Sequence, residues 1–249
     1  MKVRLDKLLL ERGLAGSRER AQALILEGKV LVDEQKLEKC GTVVSRDATV
    51  RLLGEDLKYV SRGGLKLEKA LQHWQIDVAG KTCMDVGAST GGFTDCLLQH
   101  GAAGVIAVDT GHGQIDFRLR QDVRVRLLEK TNARYLTREQ VGETADLVGI
   151  DVSFISATLV IPAIVAAAFP RSETERNGRQ VIVLVKPQFE AGREHVGKGG
   201  IVRDEAAQLN AVNKVRQSLL QQGCALTDVI DSPILGAEGN REFLVLGSF

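Results

Sequence analysis

The stretch MDVGASTGGFTD, residues 84–95, is a glycine-rich turn with an acid just ahead of it. Gly87, Gly91 and Gly92 would let the backbone pass close to a bound molecule, and the start of a following helix offers free N–H groups. Two nucleotide readings fit poorly. No Gly-Lys-Ser/Thr follows, so the turn is not a phosphate-cradling loop, and G-x-x-x-G-G departs from the G-x-G-x-x-G dinucleotide fingerprint. Asp85, immediately before the turn, would repel a pyrophosphate and accept a cationic ligand. Asp109, ending GVIAVD, is placed to accept hydrogen bonds from ribose hydroxyls. This pair of acids suits S-adenosylmethionine, which carries an amino-acid part, a sulfonium and an adenosine but no phosphate. Ser89, Thr90 and Phe93 of the same turn join the expected cofactor set, as does Asp151 further on. Asn132 in EKTNARYL stands either at the rim, for the adenine, or as a plain surface-turn asparagine.

Four further side chains could carry a reaction. Lys186 follows the apolar run VIVLV and precedes Pro187, an odd place for an ammonium unless it snorkels to water or serves chemistry there. Asp151 ends DLVGID, Glu242 opens REFLVLGS, and Lys66 lies in GGLKLEKAL. Lys69, one turn on from Lys66, could equally be the relevant lysine. Each of these residues alone reads most simply as one half of a surface ion pair.

The elements that must position them follow from pattern. TCMDVG, GVIAVD, RVRLLEK, DLVGID, VIVLVK, ALTDVID and REFLVLGS read as strands, with helices near 64–75, 91–100, 156–169 and 204–222. Such alternation predicts a doubly wound α/β fold, a mostly parallel seven-stranded Rossmann-like sheet with helices on both faces. Ligands bind such sheets outside the C-terminal strand ends, where Asp109, Asp151 and Lys186 fall. An antiparallel last strand would start Glu242 at the same edge. The first fifty-odd residues differ. RLDKLLLERG and SRERAQALILEG, the second capped by Ser17, read as two amphipathic helices, and short alternating strands follow. Residues 1–32 carry seven basic against four acidic side chains. The expected division is a small α+β domain over 1–57, a linker over 58–63 and the α/β domain over 64–249.

RLDKLLLERGLAGSRERAQALILEGKVLVDEQKL strongly resembles the RNA-binding domain named after ribosomal protein S-four. That resemblance implies Arg4, Lys7, Arg18, Arg20 and Lys29 as phosphate contacts, which position RNA without reading its sequence. Lys66, Asp151, Lys186 and Glu242 together look like the Lys-Asp-Lys-Glu tetrad of the FtsJ-like ribose 2′-O-methyltransferases. The chain resembles the TlyA family of that group through YVSRGGLKL, DVGASTGGFTD, DVSFIS, VKPQFEAGR, GGIVRD and GNREF. Members are implied to methylate a cytidine ribose in ribosomal RNA. By the resemblance Lys186 touches the 2′-hydroxyl, Asp151 orients it, and Lys66 and Glu242 complete the network. A second cation nearby favours a neutral, basic Lys186, and the two carboxylates oppose this; both protonation states stay open. Arg62, Arg193 and Lys198 join the expected RNA contacts. AGREHVGKGGIVRD, which also holds His195 and Arg203, would be a mobile loop covering the RNA. Arg118, Arg120, Arg124 and Arg126 of DFRLRQDVRVR divide between RNA contacts and a solvated surface.

Composition limits the alternatives. The formal net charge is only +1, so RNA binding must come from local basic surfaces. The four cysteines are far apart with no C-x-x-C pair, which argues against a metal site and for a reducing cytoplasm. The N-terminus breaks its apolar run with charges, and ATLVIPAIVAAAFP (157–170) is too short to span a bilayer. These features oppose a membrane-active, haemolysin-like protein. An intact cofactor turn with all four tetrad residues opposes a non-catalytic RNA-binding protein, and DVSF lacks the prolines of the usual base-methylating motif. The expected partners are ribosomal RNA or ribosomal subunits, without a membrane, for a protein acting as a monomer.

Overall fold

The computed structural model describes residues 2–53, 58–169, 176–236 and 238–249. The chain forms two compact units, Met1–Leu57 and Lys58–Phe249. Residues 54–57, on which the expected domain boundary falls, lie outside the described residues.

In the first unit β1 (Lys2–Arg4) pairs antiparallel with β4 (Val43–Ser45). The central β2 (Val30–Val32) pairs antiparallel with β3 (Gln35–Lys36) and β5 (Val50–Leu52). Leu5, Leu8 and Leu9 of α1 (Leu5–Glu11) pack with Ala21, Leu24 and Ile25 of α2 (Arg18–Leu26) to form its core. The Ser17 hydroxyl accepts the Arg20 N–H at 3.1 Å, the N-cap expected from sequence.

The second unit is built on β6 (Thr82–Val86), β7 (Gly104–Val108), β8 (Val125–Leu128), β9 (Leu147–Ile150), β10 (Gln180–Val185), β11 (Leu226–Asp231) and β12 (Phe243–Ser248). Their order is β11-β12-β10-β9-β6-β7-β8, with only β12 antiparallel to its neighbours. The chain runs outward from β6 through β7 to β8, then returns to β9 on the other side of β6. That reversal opens a crevice at the C-terminal ends of β6 and β9. In β10, Val181, Val183 and Val185 enter the core on one face, and Ile182 and Leu184 the core on the other. A strand buried on both faces has no reason to alternate polarity, which explains the unbroken VIVLV run.

The main helices are α3 (Gly63–His73), α4 (Gly92–Gln99), α5 (Phe117–Gln121), α6 (Arg138–Val141), α7 (Ile161–Ala168), α8 (Pro187–Glu190) and α9 (Glu205–Gln221). The helix expected over 156–169 is divided into a 3₁₀ turn, Ala157–Leu159, and α7. Pro162 sits in the first turn of α7, where its missing N–H costs nothing. Pro187 both ends β10 and starts α8 for the same reason. Residues 58–63, expected as a linker, contribute to the second unit. The Tyr59 side chain is buried in the core with Leu67 and Cys96, and the Val60 N–H donates to Asp95 at 2.8 Å.

Gly87, directly after β6, has φ +88°, and a Cβ there would lie 2.4 Å from the Asp151 carbonyl oxygen. Gly80 also has positive φ, +70°, but has open space around it. Gly80→Ala should therefore cost only the left-handed backbone penalty, about 1–2 kcal/mol. Gly87→Ala adds a backbone clash at the crevice and should lower Tm by at least about 2–4 °C more in a thermal melt.

Candidate active site

A cavity of about 510 Å³ occupies the crevice, within the usual size range for small-molecule sites. Gly87 and Ser89 after β6, Asp109 after β7, Asn132 after β8 and Asp151 after β9 all line it. Val108, Val152 and Ile155 supply apolar wall, and among the described lining residues there is no Lys or Arg. Asp151 is compensated by Lys186 behind it, but Asp109 has no ion-pair partner among the described residues and makes this wall a poor one for a phosphate. Asp109 Oδ2 accepts the Ser89 N–H at 2.8 Å and Oδ1 accepts the Gly111 N–H at 2.6 Å. Each oxygen retains a lone pair for a ligand hydroxyl. Asn132 lines the cavity, and its side-chain carbonyl accepts the Arg134 N–H at 3.0 Å to start a 3₁₀ turn.

Five expected cofactor residues are not on the cavity wall. Asp85 is fully buried, and its Oδ2 accepts the Thr94 N–H at 2.9 Å and the Thr94 hydroxyl at 2.6 Å. It therefore caps the first turn of α4 from the end of β6. Burial pushes its carboxyl up to about 7, the Asp151 and Asp109 charges adding to the effect. Its other oxygen is buried with no hydrogen-bond partner. Thr90 accepts the Asp116 N–H through its carbonyl. Gly91, at φ +98°, caps α4 beneath Leu119 and Ile115. A Cβ on Gly92 would lie 2.3 Å from Ser61 Oγ and 2.9 Å from Gly64 N, so this glycine permits close approach of α3 and α4. Phe93 is core. The turn is glycine-rich largely because helices crowd it.

The four reactive residues form two ion pairs. Lys186 Nζ stands 2.6 Å from Asp151 Oδ1 and donates to Ser153 Oγ at 2.7 Å. Lys66 Nζ meets Glu242 Oε2 at 2.5 Å, both side chains being buried. Lys69 is exposed, whereas Lys66 on the same helix is buried. Glu242 directly precedes β12, and Gly236 lets the preceding loop close on it, since a Cβ there would come within 2.5 Å of its carboxylate. The start of α3 passes beside Asp151: a Cβ on Gly63 would lie 3.7 Å from Asp151 Oδ2. One helix thus borders both pairs.

Sequence reasoning missed several supports. Glu190, at the end of α8, accepts the Ser156 hydroxyl at 2.5 Å and the Ala157 N–H at 2.6 Å, tying the segment after Lys186 to the segment after Asp151. Burial raises its carboxyl. Buried Asn240 accepts the Val202 N–H at 3.0 Å and donates to the Gly200 carbonyl at 2.9 Å, and Gln208 holds the Val202 carbonyl. The segment expected as a mobile cover is therefore pinned at Gly200–Val202 to the loop carrying Glu242. Phe154, on the cavity wall, is 92% exposed with φ +64° and leans on Phe189, ring centroids 5.4 Å apart. The left-handed region is uncommon for a bulky residue, so the surrounding contacts must hold Phe154 there. The run DVSF placed it, but nothing in its spacing revealed its exposure.

The expected RNA contacts sort by what holds them. Arg193 and Lys198 are exposed in the pinned segment, and Arg62 donates to the Leu235 carbonyl at 2.6 Å. Arg118, Arg120 and Arg124 pair with Asp116, Glu129 and Asp122. Arg126 is spent on the Val141 carbonyl and Glu143. Local partners thus neutralise that arginine run. In the first unit Lys7 and Lys29 are near Glu11 and Glu27, Arg20 is half-buried, and Arg4 and Arg18 converge on Asp6. Among the described residues no helix is long and apolar enough to cross a membrane, and no cluster of metal-ligating side chains occurs.

Comparison with known proteins gives a consistent result. The family of FtsJ-like methyltransferases matches residues 59–249, and the S4 domain matches residues 3–50. "Putative rRNA methyltransferase YqxC" of Bacillus subtilis is 45% identical over 98% of this chain and 85% of its own. "16S/23S rRNA (cytidine-2'-O)-methyltransferase TlyA" of Mycobacterium tuberculosis is 43% identical, covering 98% and 89% respectively. A solved structure described as "Putative hemolysin from Streptococcus thermophilus" superposes with a TM-score of 0.74 at 41% identity, over 99% of this chain and 88% of that one.

The buried Asp85 yields a pH test. Its carboxyl ionises near 3.8 when unfolded and near 7 when folded. The unfolded chain therefore binds fewer protons between those values, and stability falls as pH rises from about 4 to about 7. Asp85→Asn keeps the shape of the neutral acid without this loss. Its stability relative to the parent should rise by up to about 1.4 kcal/mol per pH unit across that window and level off above it, read from denaturant unfolding.

Proposed function

The chain belongs to the FtsJ-like methyltransferase family, and we propose that it transfers a methyl group from S-adenosylmethionine to the 2′-hydroxyl of a cytidine ribose in ribosomal RNA. The observation that carries this reading is the Lys186–Asp151 contact, with Asp151 on the wall of the cavity beside Asp109, together with the Lys66–Glu242 pair on the helix that passes Asp151. The residues present fit the cofactor. Asp109 would hold its ribose hydroxyls, Asn132 and Ile155 would flank its adenine, and Asp151 would face its cationic end. When bound, the cofactor supplies an electrophilic methyl group on a sulfonium.

The protein's own contribution is alignment and proton handling. A ribose hydroxyl is a weak nucleophile, so holding its oxygen in line with the methyl group supplies most of the rate. In the proposed arrangement the Lys186 nitrogen contacts that oxygen, oriented by Asp151 and Ser153. Paired with Asp151 as an ammonium, Lys186 first gives a proton to solvent; the resulting amine accepts the hydroxyl proton as the oxygen attacks and then releases it to water. The buried Lys66–Glu242 pair holds α3 against the approach to β12. Breaking a buried pair from one side leaves an uncompensated charge, at a cost of roughly 3–5 kcal/mol. Phe154 offers an aromatic face at the mouth on which a splayed nucleobase can stack. The S4 domain, with Arg62, Arg193 and Lys198, would hold the surrounding RNA through its phosphates. The same reading has the protein act as a monomer in the cytoplasm, on ribosomal RNA or a ribosomal subunit.

Labelled S-adenosylmethionine incubated with ribosomal subunits should label a cytidine ribose, located by mapping 2′-O-methylation. Lys186→Ala should lower kcat by at least about 10²-fold while changing cofactor affinity only a few-fold. Full activity in that variant would overturn the assignment of Lys186. Lysis of erythrocytes by the purified protein without cofactor, and no RNA labelling, would overturn the enzyme reading.

A further inference from the structure

Asp6 is fully buried in the first unit, yet everything around its carboxylate reaches out to solvent. Arg4 donates to both oxygens, Nε to Oδ1 at 3.0 Å and a terminal nitrogen to Oδ2 at 2.9 Å. Arg18 donates Nε to Oδ2 at 3.1 Å, and so does Gln22 through its side-chain amide. The Lys7 N–H completes the set on Oδ1 at 2.9 Å. Arg18 and Gln22 are four residues apart on α2, hence on one face, and both turn toward the β1–α1 junction.

This geometry leaves the outer edges of two guanidinium groups facing water. Arg4 and Arg18 are 48% and 55% exposed, although the carboxylate they share is completely covered. Both touch the same oxygen, Asp6 Oδ2, so their inner nitrogens are at most two hydrogen-bond lengths apart. Arg18 uses only Nε inward, which leaves its terminal nitrogens as a two-pronged donor edge. A phosphate accepts from two such edges side by side, and a rigid fork loses less entropy in doing so than a free side chain. The guanidinium of Arg4, with Gln22 and Arg18 behind it, holds the Asp6 carboxyl well below the usual carboxylate range, so the anchor keeps its charge.

We infer that Asp6 is a positioning residue that fixes Arg4 and Arg18 as one clamp for a phosphodiester of structured RNA. The inference rests on the reading above that ribosomal RNA is the substrate. It assigns a function to a negative charge within an anion-binding surface, where charge counting alone would place none. The two accounts differ in sign. If Asp6 merely neutralises its neighbours, removing its charge raises the local positive potential and tightens RNA binding. If it positions them, removing its charge frees both side chains and weakens binding.

Filter binding of the full chain to deproteinised ribosomal RNA, across roughly 50–200 mM salt, distinguishes the two. Asp6→Asn should lose about tenfold in affinity, and its slope of log K against log salt should become shallower by about one. Unchanged or tighter binding, with helical circular dichroism intact, would overturn the inference. Should Asp6→Asn fail to fold, the Arg4→Lys/Arg18→Lys double variant decides. It preserves Asp6 and every charge but removes the fork, so a similar loss supports the clamp and parental affinity overturns it. The Arg4→Ala/Arg18→Ala double variant checks the underlying reading. No loss there removes this face from RNA binding altogether, whereas a loss there without one in Asp6→Asn defeats only the role of Asp6.

Discussion

Two ammonium groups stand where a hydrophobic sheet ends, and each is held there by a carboxylate from a different element. Lys186 leaves the most apolar strand in the protein and meets Asp151 from the adjacent strand. Lys66, on a helix that precedes the whole sheet in sequence, meets Glu242 just before the last strand. An unpaired charge at either place would carry a desolvation penalty that nothing else offsets. Four segments separated by long stretches of chain must therefore arrive together. Helix α3, bordering both pairs, connects them mechanically.

The segments around the pairs are held by the same kind of contact. Glu190 ties the chain after Lys186 to the chain after Asp151, Asn240 ties Gly200 and Val202 to the Glu242 loop, and Asp85 ties α4 to the end of β6. Each is a buried side chain serving backbone groups that would otherwise be unpaired. The mouth is thus built on rigid support, as in-line attack by a weak nucleophile requires, since small misplacements there cost much of the rate. The first unit repeats the device around Asp6, a buried anion that organises exposed cations.

Much of this was legible beforehand, and the reasons are specific. The run VIVLV announced a strand buried on both faces, and the regular exchange of strand and helix patterns implied a parallel sheet. Strand ends then located Asp109, Asp151 and Lys186, because only one edge of such a sheet is free for chemistry. Asn132 was expected through the same logic, and Gly87 and Ser89 through the glycine-rich turn. The tetrad also required the resemblance of the surrounding motifs, since Lys66 lies on no strand and Lys69 competed with it on equal terms. In the GASTGGF turn Gly91 and Gly92 also permit packing between helices, and Phe93 fills the core.

By itself the sequence determined the elements, their alternation, the polarity of the sheet and the residue types available at its edge. These follow from period, propensity and turn chemistry, which act over a few residues at a time. Only the tertiary structure decided which lysine is buried, which carboxylate each lysine takes, which arginines are spent on neighbouring acids, and that Phe154 faces water. Those outcomes depend on groups far apart in the chain. Charge pairing and burial act through space, so they are settled only once the sheet has closed and the helices have found their faces.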